Sequence, residues 1–567
     1  MIKKCYITPL LAVLFSFCSP KKAQFETNEL IGVWSGILFQ TESTYDSLIL
    51  LPANAPVEAR LYSKGKETVH HINRKGTNLS FKGPSGLRFD ALLSNDSKAL
   101  HGVLTHDLWA QSLDFENTDD HWVAKIHKPE IIDTDYLVYL EFYKDSAGTV
   151  QANIQSNKEN RELHFTIDEV LIEGNHIDFK ITNDRFGISA EYNTEKRNIS
   201  LTYGNAGGKR EIQLKKLNDN QLEGYLPRSP NENYLYNIPE APDSTMQTAS
   251  LEDVGIDRSL LGLMDPKNNK TLEHIHSILI TKDGKLVFEE YFHGYDREYL
   301  HDVRSAFKSI ASLAVGKAMM KNDGLHVENA ILDYYPEYDI HDVRKKNITV
   351  HHSLTMSTGI QLEDEDKMQW EHEDWVGHKL DLPMAHEPGQ VYEYSSGGSN
   401  LLTGVIQKSV GTYLPLFFYE ELLLPMEIHD FQMLTSPHGR GYLAGSFYMR
   451  PIDFTKFGLL VLNKGTWNGE QLIGESWIEK STTPHIKGSW PKNSDYGYLW
   501  RLLEREVGGK QMKTVEAWGN GGQFLIIIPE IEMTITMTGG NYNLFPDMED
   551  RPFSILNEYI LPAVQMK

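Results

Sequence analysis

Between residues 26 and 217, hydrophobic and polar positions alternate in short runs, the two-residue period of strands that pack one face. Gly32-Val33-Trp34-Ser35-Gly36-Ile37-Leu38, Leu79-Ser80-Phe81, Leu163-His164-Phe165-Thr166-Ile167 and Ile212-Gln213-Leu214 carry the pattern, and turns rich in Gly, Asn and Asp separate them. The spacing predicts an all-β barrel- or sandwich-like region over 24–217. Two of its segments, 76–82 (GTNLSFK) and 174–180 (GNHIDFK), are alike, which keeps a duplicated β module open. Lipid or glycan binding and a plain covering role both stay open for this region, because a fold by itself assigns no site.

Pro227, Pro230, Pro239 and Pro242 then mark 218–250 as a linker. Beyond it the period changes. The apolar runs 275–280 and 285–289 flank Lys282-Asp283-Gly284, a hairpin signal because Asp-Gly tolerates the positive φ of a tight turn. From Ser305 to Lys321 the spacing becomes helical, with Ile310, Leu313, Ala314, Lys317 and Ala318 on one side and Gly324 just beyond the end. Helices are also expected at 400–408 and 451–463. Apolar strands follow at 524–528 and 533–537, and a last helix near Pro552, where a proline in the first turn costs no hydrogen bond. Early and late strands around a long helical stretch predict one antiparallel sheet with an inserted helical subdomain, an α/β layered domain over 251–567.

Composition narrows the function. At 567 residues the chain can hold three or four domains of roughly 150 residues. Its formal charge of -23, from 55 Lys plus Arg against 78 Asp plus Glu, disfavours nucleic acid as a partner. Both cysteines, Cys5 and Cys18, stand at the start, so the body folds without disulfides, thiolate metal ligands or a cysteine nucleophile. Met1-Ile2-Lys3-Lys4 followed by an apolar run over 7–17 reads as an export signal over 1–23. Its end has two readings. Cys18 is lipidated as a lipoprotein anchor, despite bulky Phe17 before it, or cleavage follows Ala23. Either reading expects the protein in the bacterial periplasm or cell envelope, or secreted. No later run is long enough for a transmembrane helix.

Ser305-Ala306-Phe307-Lys308 is the central chemical signal. Residues three apart on a helix share a face, so the hydroxyl and amine can meet. A lysine serves as base when desolvation or a nearby positive charge favours its neutral form. The free N–H groups of a helix start also favour developing negative charge. Taken alone, the same serine reads more readily as a plain N-cap, since Ser-Xaa-Xaa-Lys is common by chance.

Downstream come Leu354-Thr355-Met356-Ser357-Thr358-Gly359, then Pro388-Gly389-Gln390-Val391-Tyr392-Glu393-Tyr394-Ser395-Ser396, and finally Trp518-Gly519-Asn520-Gly521-Gly522-Gln523. In this order and spacing, the chain from about Leu251 onward resembles the serine β-lactamase/penicillin-binding superfamily. It looks like the class C-like branch of esterases, D-aminopeptidases and nylon-oligomer amide hydrolases. The resemblance implies that Ser305 is acylated, that Lys308 is its partner and that Tyr394 shuttles the proton of the leaving group. It also implies an oxyanion hole from the backbone N–H groups of Ser305 and Gln523, with Gly521 and Gly522 letting a strand run beside the substrate. Asn520 stands where the family carries Lys-Thr-Gly or His-Xaa-Gly, and Ser396 replaces the usual asparagine. Both departures turn the expectation away from carboxylate-bearing substrates.

The expected function is therefore a serine hydrolase forming an acyl-enzyme on an ester or small amide, glycan-linked groups included, with an esterase favoured. An amidase, D-aminopeptidase or β-lactamase is the alternative within enzymes; a non-catalytic envelope binding protein is the alternative outside them. No metal or organic cofactor is called for. His351-His352 lacks the companion residues of a zinc motif. The acidic run 363–366 (EDED) is expected to be solvated or to rim the cleft, and Trp370 and Trp375 either line an acyl pocket or pack in the core.

Overall fold

The computed structural model describes residues 25–39, 46–94, 96, 98–126, 136–156, 167–181, 187–205, 208–222, 224–229, 233–543 and 547–566. The expected export signal and the anchor at Cys18 lie outside them, as does most of the strand expected at 163–167. Among the described residues no helix is long and apolar enough to cross a membrane. The chain divides into two compact units. The first holds described residues within 1–38, 138–154 and 165–219; the second holds those within 39–137, 155–164 and 220–567.

The first unit is an eight-stranded sheet curled into a nearly closed barrel. Five consecutive strands, Ile167–Glu173, His176–Ile181, Gly187–Asn193, Asn198–Asn205 and Gly208–Lys216, form an antiparallel meander. Alternation decides its faces: Ile199, Leu201, Tyr203, Ile212 and Leu214 are all buried. Gly36 is required by close approach, since a Cβ there would overlap the carbonyl oxygen of Gln213 on the paired strand.

The second unit contains a meander of the same kind, Asn73–Lys75, Asn78–Lys82, Arg88–Leu93, Leu100–His106 and Trp109–Asp114. The two similar heptapeptides open equivalent hairpins in the two meanders, with Gly76 (φ 64°) and Gly174 (φ 65°) in the turns. In the second unit the sheet continues further. Strand Trp109–Asp114 pairs with Gln432–Leu434, which pairs with Phe447–Met449, which pairs with His301–Asp302 just ahead of Ser305. Ser112 Oγ accepts from Phe431 N (3.1 Å), and the Thr105 and Tyr413 hydroxyls bond at 2.6 Å.

The predicted single sheet of early and late strands is present. Its nine strands place Lys285–Tyr291, Ile275–Lys282, Met533–Gly539, Gln523–Ile528 and Lys510–Gly519 side by side, with the long helical section between them in sequence. Asp283 (φ 53°) and Gly284 (φ 75°) make the hairpin turn. Helix Phe307–Lys321 is more than amphipathic: every residue from Phe307 to Gly316 is buried, so it runs through the core. Phe307 stacks on Phe447 (centroids 4.1 Å apart), and Gly316 leaves room for the ring of Trp477, whose Nε1 donates to Ser312 O (3.0 Å). The last helix differs from expectation. It spans Asp547–Ile555 and holds Pro552 inside rather than at its first turn. The Met548 carbonyl, left without a helical donor by that proline, faces Gly522, where a Cβ would sit 3.4 Å from it.

Candidate active site

Ser305 lies in the single 3-10 turn Arg304–Ala306, which runs directly into helix Phe307–Lys321. Arg304 adopts φ 51°, an uncommon backbone for a residue with a Cβ. Asp302, fully buried, holds it there by accepting from Arg304 N (2.8 Å) and pairing with its Nε (3.3 Å). Two glycines box in the turn. A Cβ on Gly519 would overlap the Val303 carbonyl oxygen, and one on Gly445 would come within 3.3 Å of Arg304 C.

Lys308 is 1% exposed and one helical turn away. Its Nζ donates to Ser305 Oγ (3.1 Å), to Ser396 Oγ (3.2 Å) and to the carbonyl oxygen of Ala444. The same Nζ stands 4.9 Å from the ring centre of half-buried Tyr394. Of the residues expected at the site, Ser305, Lys308, Tyr394 and Ser396 are thus brought together.

Ser396 opens the short helix Ser396–Asn400, capped by Ser395, whose Oγ accepts from Gly398 N (2.8 Å). Two acids of the EDED run bond to this helix start, Glu363 with its side chain buried and Glu365 exposed, so the expectation of a solvated run fails at Glu363. The Glu363 side chain is 3% exposed and accepts from Lys379 Nζ (2.6 Å), Ser395 Oγ (2.9 Å) and Gly397 N (2.7 Å). Burial works against its charge, but the Lys379 ammonium outweighs it and holds the carboxyl below its usual range. Glu365 Oε2 accepts from Ser396 Oγ (2.9 Å), and its Oε1 accepts from the Tyr442 hydroxyl. Burial first, and Glu365 second, hold the Tyr442 phenol well above its usual value.

The third wall is the turn between strands Lys510–Gly519 and Gln523–Ile528. Gly521 (φ 95°) and Gly522 (φ 93°) occupy backbone that side chains disfavour, and a Cβ on Gly521 would strike the Tyr542 ring at 2.6 Å. Asn520 is turned aside: its Nδ2 donates to Asn543 Oδ1 (2.6 Å), and its Oδ1 accepts from Asn543 N (2.8 Å). The buried Gln523 amide clamps Gly539, donating to its carbonyl (2.6 Å) and accepting from its N–H (3.2 Å). Arg501 enters from strand Arg501–Val507, its guanidinium 5.6 Å from the Tyr394 ring centre and 4.7 Å from that of Trp518.

A family model described as Beta-lactamase matches residues 275–555. This segment matches the β-lactamase/penicillin-binding superfamily at the level of the fold. Its β-lactamase-type domain is a serine-hydrolase-type catalytic fold. Among solved structures, a Bacillus anthracis protein described as a candidate 6-aminohexanoate-dimer hydrolase is similar at 18% identity and TM-score 0.45, over 57% of this chain and 91% of its own. EstCE1, a hydrolase with promiscuous acyltransferase activity, is similar at 13% identity and TM-score 0.45, over 54% and 98%. An octameric penicillin-binding protein homologue from Pyrococcus abyssi is similar at 19% identity and TM-score 0.43, over 52% and 74%. No curated protein matches the chain.

Within the β-lactamase-type domain, the sequence reading missed Glu363, Glu365, Lys379, Tyr442 and Arg501. Each reaches the site from a segment with no motif of its own, and the acidic run was the one visible signal. The residues set aside there have other roles. His352 Nδ1 accepts from Thr349 N (3.0 Å) and caps helix Val350–Leu354. Trp375 is buried, its ring edge-on to Tyr442 (5.3 Å), while Trp370 is 72% exposed.

Proposed function

We propose that this protein is a serine acyl-hydrolase that works through an acyl-enzyme on Ser305, with esters as the favoured substrates. The carrying observation is the 3.1 Å hydrogen bond between the buried Lys308 Nζ and Ser305 Oγ. In its neutral form Lys308 takes the Ser305 proton as Oγ bonds to the substrate carbonyl carbon. The carbonyl π pair moves to oxygen, where backbone N–H groups of Ser305 and Gln523 receive the charge. Collapse breaks the bond to the leaving group, which takes a proton from Tyr394; Lys308 resupplies it. Water then attacks the acyl-enzyme by the same route, giving the free acid and regenerating Ser305.

Esters are favoured because an alcohol leaves more readily than an amine and because Asn520 offers no cation. Arg501 supports a second reading. Its guanidinium beside Tyr394 brings back a cation from a different strand, which suits an ester or amide carrying an anionic group. On the signal read in residues 1–23, the enzyme acts in the cell envelope or outside the cell.

The test is hydrolysis of p-nitrophenyl acetate and butyrate by the full-length protein beside Ser305→Ala. Turnover and covalent acylation are expected to disappear in the variant while its thermal unfolding stays unchanged. Normal turnover by Ser305→Ala would sink the assignment. Failure of the wild-type protein to react with any acylating probe would favour a binding protein with an idle site. Opening of a chromogenic cephalosporin far faster than acetate hydrolysis would favour a β-lactamase.

A further inference from the structure

Lys308 makes three hydrogen bonds, as many as an ammonium has protons. A base needs one of these positions to become a lone pair, and the three acceptors differ in whether they can reverse. The Ala444 carbonyl only accepts. Ser396 has a proton of its own, but Glu365 Oε2 lies 2.9 Å from its Oγ, and an ionised carboxylate has no proton to give. Tyr442 donates to the other carboxylate oxygen, so Glu365 receives protons from both sides. Ser396 therefore presents only lone pairs to Lys308. Ser305 alone is able to turn its proton toward the amine.

We propose that Glu365 is a positioning residue: by holding the Ser396 proton, it aims the lone pair of neutral Lys308 at Ser305. The inference rests on the acyl-enzyme reading above and adds a residue to it. Without an acceptor at Glu365, the Ser396 proton is free to turn to Lys308 Nζ and occupy the lone pair that the reaction needs. A hydroxyl at 396 makes this control necessary, because a hydroxyl points its proton either way.

The experiment uses the full-length protein and p-nitrophenyl acetate, reading the pre-steady-state acylation rate, KM and thermal unfolding. In Glu365→Gln the amide N–H donates to Ser396 and reverses the chain. Acylation is expected to slow on the order of 10–100-fold with KM within about 2-fold, the size of a misdirected general base. In a Ser396→Ala background the same substitution is expected to have no further effect, since no competing proton remains. Glu365→Asp, which keeps a carboxylate acceptor, is expected to recover part of the rate.

Wild-type acylation by Glu365→Gln overturns the inference, and so does an equal loss in both backgrounds, which a merely structural role would give. Glu365→Ala also frees the Ser396 proton and replaces Glu365→Gln should that variant not fold. Ser305→Ala separates the two levels. If it turns over normally, the acyl-enzyme reading fails; if it is inert while Glu365→Gln is unimpaired, only the role of Glu365 fails.

Discussion

Gly519 stands against Val303 so closely that a Cβ there would overlap the Val303 carbonyl oxygen and lie 3.1 Å from Arg304 Cβ. This contact presses the turn strand of the third wall onto the turn that carries Ser305. Gly519→Ala must therefore push the two apart. Overpacking of this kind costs about 1–3 kcal/mol, and a displacement near 1 Å at a nucleophile costs on the order of 100-fold in rate. The variant is expected to fold with a lowered melting temperature and to lose far more ester turnover than stability. Calorimetry and p-nitrophenyl acetate kinetics on the same preparation check both halves.

The pair Lys379–Glu363 supports the start of the Ser396 helix from inside, with side-chain exposures of 0% and 3%. Removing one partner leaves the other charge buried without compensation. Lys379→Met is expected to destabilise by about 3–5 kcal/mol, and Lys379→Met with Glu363→Gln to recover much of that. The pH dependence has a definite sign. The carboxyl of Glu363 is held below its usual range in the folded state, so its stabilisation is complete above the unfolded value near 4.5 and fades as pH falls through the folded value. Denaturant unfolding of wild type and Lys379→Met from neutral to acidic pH measures it: the variant should lack this acid-side loss.

How much of this was legible in the sequence follows from distance along the chain. Ser305 and Lys308 meet because three residues is a local helical spacing, and Asp283-Gly284 fixes its hairpin by turn chemistry alone. Ser396 came from resemblance, and it stands 3.2 Å from Lys308. Glu365 and Glu363 reach partners 31 to 34 residues away, across a fold that no local period encodes. The acidic run therefore reads, from sequence, only as solvated surface or a cleft rim. Pro552 misled in the opposite way, since a local rule placed it at a helix start, whereas the Met548 carbonyl it frees is accommodated beside Gly522. The pairing of strand Trp109–Asp114 with Gln432–Leu434 was equally invisible. Neither strand names its partner, and the neighbouring bond from Phe431 to Ser112 spans 319 residues.

That pairing bears on where the catalytic part can be cut. Val103 and Ala110 belong to the same core cluster as Phe431, Met433, Phe447 and the helix of Ser305. A shortened protein beginning at Leu251 would keep every motif of the β-lactamase-type domain. It would also leave strand Gln432–Leu434 an unpaired edge and strip apolar cover from the core. It is expected to aggregate or melt well below the full chain and to lose ester turnover. Size-exclusion chromatography and thermal unfolding of the two proteins decide it; equal stability would mean that the earlier strands contribute little.

A final prediction concerns acid. His301 lies 1% exposed just before Asp302, with its Nε2 2.8 Å from His276 Nδ1. Burial pushes its pKa down to about 4, against 6.5 for the free side chain, with Asp302 and Arg304 as the nearest charges. A histidine lowered in the folded state contributes stability that is complete above the unfolded value and is lost as pH falls from about 6.5 to about 4. The loss at the low end is roughly 3 kcal/mol for this group alone. Because the imidazole packs beside the turn that holds Ser305, activity is expected to fall at the acid end as the turn gives way. His301→Gln removes this titration, so its stability should drop less between those two pH values than that of wild type, whatever its stability at neutral pH. An identical acid profile in the two proteins would assign the loss to other groups.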